Sequence, residues 1–135
     1  MKIIELRHWS EAVTPEVQER ARNGSACQLT KKYTVLENGN EVAYLALDWW
    51  SLDQRTDLGL YELCVLHKFR HCGVGARILI ETEKLAGAAG YRRVTLTARS
   101  SEDYPNELLS GWYQRHGFKH LTHEGPDEMG KDVEI

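Results

Sequence analysis

The run Arg70-His71-Cys72-Gly73-Val74-Gly75 sets two glycines between an apolar, strand-like stretch and a helical one. No other part of the chain constrains the fold as much. Glycine lets the main chain approach a ligand with no Cβ in the way. The first N–H groups of a helix lack intrahelical partners and carry the positive end of its dipole. A turn of this kind suits a phosphate. It points to a phosphate-bearing cofactor held by main chain, with a plain strand-to-helix turn as the other reading. A dinucleotide fingerprint needs a third glycine three residues on, where this chain has Ile78. No G-x-x-x-x-G-K-S/T run occurs, which excludes a P-loop.

The stretches around this turn alternate between strand and helix. Ile3 to Leu6 read as a first strand. Thr14-Pro15-Glu16 reads as a helix start, with Thr14 as N-cap, and Asn23-Gly24 as its end. Tyr33–Leu36 and Val42–Leu47 are strand-like, joined by the hairpin signal Glu37-Asn38-Gly39-Asn40. Leu58–Leu66 is too apolar for a surface strand and is predicted to be central. Gly75–Ala89 has helical periodicity, with Val74, Ile78, Leu85 and Ala89 on one face. A half-buried strand over 93–99, a polar loop over 100–106 and a helix over 107–116 follow. In that helix Leu108, Leu109 and Trp112 are expected inward. Phe118–Thr122 is a further strand, Gly125-Pro126-Asp127 a turn, and Lys131–Ile135 a last short strand. The order implies a mixed α/β sheet flanked by helices, with residues 1–135 as one domain.

Composition narrows the function class. A chain of 135 residues buries a core without disulfides or metal. Net charge is −3 and basic residues form only pairs such as Lys31-Lys32 and Arg92-Arg93, so no nucleic-acid partner is expected. No apolar run reaches the ~20 residues of a membrane span, so no membrane partner is expected either. The N-terminal residues do not read as a signal peptide. Cys27, Cys64 and Cys72 are scattered and odd in number, as reduced thiols of a cytoplasmic protein are. With no C-x-x-C, no metal site is expected.

Three stretches, in order, resemble the GNAT superfamily of N-acetyltransferases. Val65 to Gly75 is similar to that family's V-x-P-x-x-R-x-x-G-x-G, with His67 in place of the proline. Asn106 stands seven residues before Tyr113. Trp112-Tyr113-Gln114-Arg115-His116-Gly117-Phe118 is similar to L-Y-E-K-x-G-F. The match covers roughly residues 58–120. The resemblance implies a GNAT-like fold, with splayed strands holding acetyl-CoA or a related acyl-CoA. It implies that pantetheine pairs with the backbone of Leu63, Cys64 and Val65. It implies that the pyrophosphate lies on the amides of His71, Cys72, Gly73, Val74, Gly75 and Ala76. Arg70 or Arg77 adds charge near phosphate or is simply solvated.

The same resemblance makes Tyr113 the general acid for the leaving thiolate; otherwise it packs beside Leu109 and Trp112. Asn106 resembles a cofactor-contacting residue and is also a natural N-cap. For the general base Glu62 is the first candidate, with Asp48, Glu102 and Asp103 as others. A main-chain N–H serves to polarise the thioester carbonyl. His116, His120 and His123 read as surface residues, and Trp49-Trp50 as either an acceptor wall or a cap on the core. Cys72 is no covalent nucleophile, because a free amine attacks the thioester directly. The acceptor is expected to be a small-molecule or peptide amine, cationic before reaction and drawn by Asp48, Asp53, Asp57, Glu102 and Asp103. A homodimer stays open. The competing class is a non-catalytic acyl-CoA-binding or regulatory module.

Overall fold

A computed structural model describes residues 1–24, 26–98, 106–121 and 127–134, without the side chains of Asn106 and Glu107. The expected loop over 100–105, Glu102, Asp103, His123, the Gly125-Pro126 turn and Ile135 lie outside the described residues. Seven strands hydrogen-bond in the order β1-β2-β3-β4-β5-β7-β6, a mixed sheet of an α/β fold. By compactness the chain divides into residues 1–49 with 60–78, and residues 50–59 with 79–135. No described helix is long and apolar enough to cross a membrane.

In the first unit β1 (Lys2–Leu6), β2 (Thr30–Glu37) and β3 (Asn40–Asp48) form an antiparallel meander. The turn between β2 and β3 carries Asn38 at φ 52° and Gly39 at φ 80°. Two left-handed residues make the tight hairpin whose twist matches that of the strands. β3 is buried from Glu41 to Leu47, which explains its unbroken apolar run. Helix α1 (Pro15–Asn23) places Val17 and Ala21 one turn apart on its buried face. They pack with Leu6, Ala12, Tyr44, Ala46 and Leu66.

Both ends of α1 are tied to the sheet. Thr14 Oγ1 accepts from the Val17 N–H at 3.3 Å, as its N-cap position predicts. Glu41, at 6% exposure, accepts from the Val13 and Thr14 amides at 3.0 and 2.8 Å and from the Thr34 hydroxyl at 2.7 Å. Burial alone would raise the Glu41 pKa, but the bonds from Thr14, Val13 and Thr34 outweigh it and hold it below the usual carboxylate value. At the other end Gly24 is extended, with φ −64° and ψ 136°, so no left-handed cap forms. Lys32 Nζ instead donates to the Ala21 and Gly24 carbonyls at 2.6 and 3.0 Å.

β4 (Asp57–Val65) lies fourth among the seven strands, the central place its composition predicts. Its end is unusual for a central strand, because Leu63, Cys64 and Val65 are only half-buried. Beyond β4 comes a short 3-10 turn, His67–Phe69, and then helix α2 (Val74–Ala88).

The second unit holds β5 (Arg93–Thr97), helix α3 (Asn106–Arg115), β6 (Lys119–His120) and β7 (Glu128–Asp132). β7 lies between β5 and β6, antiparallel to both. The expected last strand over 131–135 is thus displaced toward the N-terminus by backbone pairing from Arg93↔Asp132 to Thr97↔Glu128. β6 is shorter than expected. Leu108 is 63% exposed, which overturns its expected inward place, whereas Leu109 and Trp112 are half-buried. Glu83 of α2 is half-buried and pairs with Lys131 at 2.9 Å.

Candidate functional site

The turn into α2 has the geometry its glycines foreshadow. His71 and Gly73 take left-handed φ of 62° and 77°, with Cys72 between them. Left-handed residues at alternate positions point successive amides toward one side, an anion-binding nest. The first intrahelical bond of α2 runs from the Arg77 N–H to the Gly73 carbonyl at 3.1 Å. The amides of Val74, Gly75 and Ala76 precede it and are the orphan donors of the helix end. His71, Cys72 and Gly73 are exposed, so this concave amide surface faces solvent.

Two arginines brace the turn. Arg77 grips Glu37 with its Nε and Nη2 at 2.8 and 2.7 Å, a bidentate fork, and its Nη1 reaches the Cys72 carbonyl at 3.3 Å. A Cβ on Gly73 would stand 3.0 Å from Nη1, the far end of the flexible Arg77 side chain, so glycine is favoured there chiefly by φ. Arg70 Nε donates to the Val65 carbonyl at 3.1 Å and ties the turn to the end of β4. The sequence left open whether these arginines meet phosphate. Arg77 is occupied by Glu37, and the Arg70 Nε by β4.

Beside the turn, in the same unit, lies a cavity of about 430 Å³. Glu16, Glu19 and Arg20 line it from α1, Glu62 and Cys64 from β4, and Arg70 from the turn. Glu62 is the expected base, and its Oε2 is paired with Arg20 Nη1 at 3.0 Å. Tyr44 is fully buried, and its hydroxyl has no hydrogen-bond partner among the described residues. Burial, and then the nearby Glu62 charge, push the Tyr44 phenol well above its ordinary pKa, so it stays a donor. The composition of β3 shows Tyr44 only as another apolar strand residue; its buried hydroxyl has no sequence signal.

On α3, Tyr113 is 6% exposed and packs edge-on against Trp112 and Phe118, with ring centroids 5.0 and 5.6 Å apart. Burial pushes its phenol up to about 12. Tyr113 thus has the packing beside Trp112 that the sequence offers as the alternative to a catalytic role. Asn106 opens α3.

The carboxylates expected to draw the acceptor fare differently. Asp48 accepts from the Thr30 hydroxyl, and Asp57 pairs with Arg55 at 3.5 Å. Asp53 lines a shallow hollow over residues 52–57. Trp49 Nε1 donates to the Tyr33 hydroxyl at 2.8 Å, and Trp50 lies under the Arg55 guanidinium. His120 is exposed as expected, whereas His116 is half-buried with its ring 4.7 Å from that of Trp112. Cys27, Cys64 and Cys72 are free thiols.

Residues 30–120 match the model of the acetyltransferase (GNAT) domain. No curated protein sequence matches the chain. Among solved structures, that of the KacTA–DNA complex is similar with a TM-score of 0.72 at 16% identity, over 98% of this chain and 92% of that one. The putative N-acetyltransferase YhhK from E. coli, bound to coenzyme A, gives 0.69 at 19% identity, over 97% of each chain. AtaTR bound with acetyl-CoA gives 0.69 at 14% identity, over 98% and 92%.

Proposed function

Because the chain belongs to the GNAT acetyltransferase family, we propose that it transfers an acetyl group from acetyl-CoA to an amine. The observation that carries this reading is the amide nest at His71–Gly73 leading into the open first turn of α2. It has the shape, charge and space for a pyrophosphate. The half-buried end of β4 supports it, because Leu63, Cys64 and Val65 leave apolar strand surface for pantetheine to cover. Coenzyme A in YhhK and acetyl-CoA in AtaTR agree with that assignment. Asn106, at the head of α3, is a further cofactor contact in this reading.

Acetyl-CoA supplies an activated acyl carbon with a thiolate leaving group. The amine must first lose a proton, and Glu62 or a water it holds takes it. The amine nitrogen then bonds to the thioester carbon, and the carbon–sulfur bond breaks. Tyr113 donates its phenolic proton to the sulfur as the thiolate leaves. Its raised pKa keeps that proton in place throughout the neutral range. A main-chain N–H holds the carbonyl oxygen as charge develops.

The test is release of free thiol from acetyl-CoA with a panel of amines. Amine-dependent release supports transfer. Tight acetyl-CoA binding with no release for any amine would instead make the chain an acyl-CoA-binding or regulatory module.

A further inference from the structure

We propose that Glu37 is a positioning residue for the cofactor: acting through Arg77, it holds the Cys72–Gly73 peptide in the orientation that binds pyrophosphate. This rests on the acetyl-transfer reading and adds what keeps that site in shape. Glycine accepts either sign of φ, so the peptide ahead of Gly73 flips at little cost unless something anchors it. A trans peptide holds its C=O and N–H on opposite sides. The Cys72 carbonyl is drawn to Arg77 Nη1 at 3.3 Å, so the Gly73 N–H points to the other side, as the nest requires. A flip would aim the carbonyl oxygen at the anion and withdraw the donor.

The anchor is itself held by a residue 40 positions away. Glu37 ends β2 and is paired with Asn40 in the β2–β3 ladder, so its backbone is fixed. Its Oε2 and Oε1 accept from Arg77 Nε and Nη2 at 2.8 and 2.7 Å. That fork takes one edge of the planar guanidinium, sets its plane and leaves Nη1 for the turn. The place of a Gly73 Cβ, 3.0 Å from Nη1, shows how close the group stands. The bonds from Arg77 also hold Glu37 below the usual carboxylate value, so it is ionised at neutral pH. The two charges cancel across 2.7 Å, so Arg77 gives the site direction rather than net charge.

The experiment measures coenzyme A affinity by calorimetry in about 0.5 M salt, which screens the attraction of an unpaired Arg77 for phosphate. Glu37→Met removes both acceptors and should weaken binding about two- to tenfold, as expected for the loss of one anchoring hydrogen bond. Arg77→Lys keeps the charge, but one ammonium cannot grip Glu37 twice and also reach Cys72. It should weaken binding to a similar degree. The two changes together should cost no more than the worse of them, since both break one relay. Glu5→Met is the control. It removes the same charge from a 4.0 Å pair with Lys31 and should leave the affinity unchanged. With any amine that turns over, Glu37→Met should raise KM for acetyl-CoA and leave kcat alone. A merely structural ion pair would lower the melting temperature and leave coenzyme A affinity as in the parent. Unchanged or tighter binding in Glu37→Met, or additive losses in the double variant, overturns the inference. Binding that weakens as stated, with no thiol released to any amine, sustains it and refutes the transfer reading alone.

Discussion

Replacing Gly73 by alanine isolates the part played by the α2 turn. Gly73 has φ 77°, where an L-residue is disfavoured by about 1–2 kcal/mol. The new Cβ would also stand 3.0 Å from Arg77 Nη1, and a shift of a few tenths of an ångström there weakens its 3.3 Å bond to the Cys72 carbonyl, at most to the point of losing it. That exposed bond contributes about 0.5–1 kcal/mol. The sum, about 1.5–3 kcal/mol, appears in one of two places. If the turn keeps its shape, stability falls. If the turn relaxes, bound cofactor must restore it and affinity falls instead. Residues 71–73 are exposed, so the second outcome is expected, with coenzyme A affinity about 10- to 150-fold weaker. Gly39→Ala is the control. Gly39 has nearly the same φ, 80°, yet among the described residues nothing lies within 4 Å of its Cβ position. Its cost falls on the β2–β3 turn and should lower the melting temperature while coenzyme A affinity stays the same. The assays are titration calorimetry with coenzyme A and thermal unfolding. A Gly73→Ala protein that binds as tightly as the parent, while Gly39→Ala is clearly destabilised, would refute the role given to the nest.

Tyr113→Phe should lower kcat by about 10²–10⁴-fold with coenzyme A affinity retained. Because the Tyr113 pKa is raised to about 12, the parent's kcat should show no alkaline fall assignable to this group between pH 7 and 10. A tyrosine-dependent limb below pH 10, or full turnover in the Phe variant, would remove Tyr113 from the reaction. Glu41 has a depressed folded pKa, so its stabilising share is full above its unfolded value and is lost as pH falls through the folded one. Thermal stability should therefore fall below about pH 4.5, and Glu41→Gln should cost about 1–3 kcal/mol near neutrality while flattening that acid fall. Lys32→Met removes the cationic cap from the Ala21 and Gly24 carbonyls and should cost about 1 kcal/mol. Hydrogen exchange should then speed up first in the last turn of α1. Uniform exchange along α1 would argue against that cap.

The elements legible in the sequence are those fixed by local chemistry. Asn38-Gly39 supplies its own left-handed turn, and Thr14-Pro15 its own helix start. Gly73 marks the left-handed turn ahead of α2, because backbone shape there depends on residues a few positions apart. What escaped is what distant pairing decides. β7 reads Glu-Met-Gly-Lys-Asp, a poor strand by composition, and it is extended because β5 and β6 both need a partner. Leu108 belongs to a periodic apolar set yet stays exposed, since periodicity does not state how wide a buried stripe is. Charge alone marks Asp48 and Asp57 as acceptor carboxylates, and their partners are not visible in the sequence. The structure gives Asp48 to Thr30 and Asp57 to Arg55.

The place of β7 bears on how the protein is made. β6 is only two residues long, and its ladder partners belong to β7, which the ribosome delivers after it. β5 likewise waits, with Arg93 meeting Asp132 across a separation of 39 residues. During synthesis the facing edges of β5 and β6 stay unpaired until the strand destined to lie between them emerges. Closing so long a separation is slow, and open edges attract foreign strands. The second unit is therefore most exposed to aggregation while nascent, and truncations ending before Glu128 should be captured by chaperones far more than the full chain.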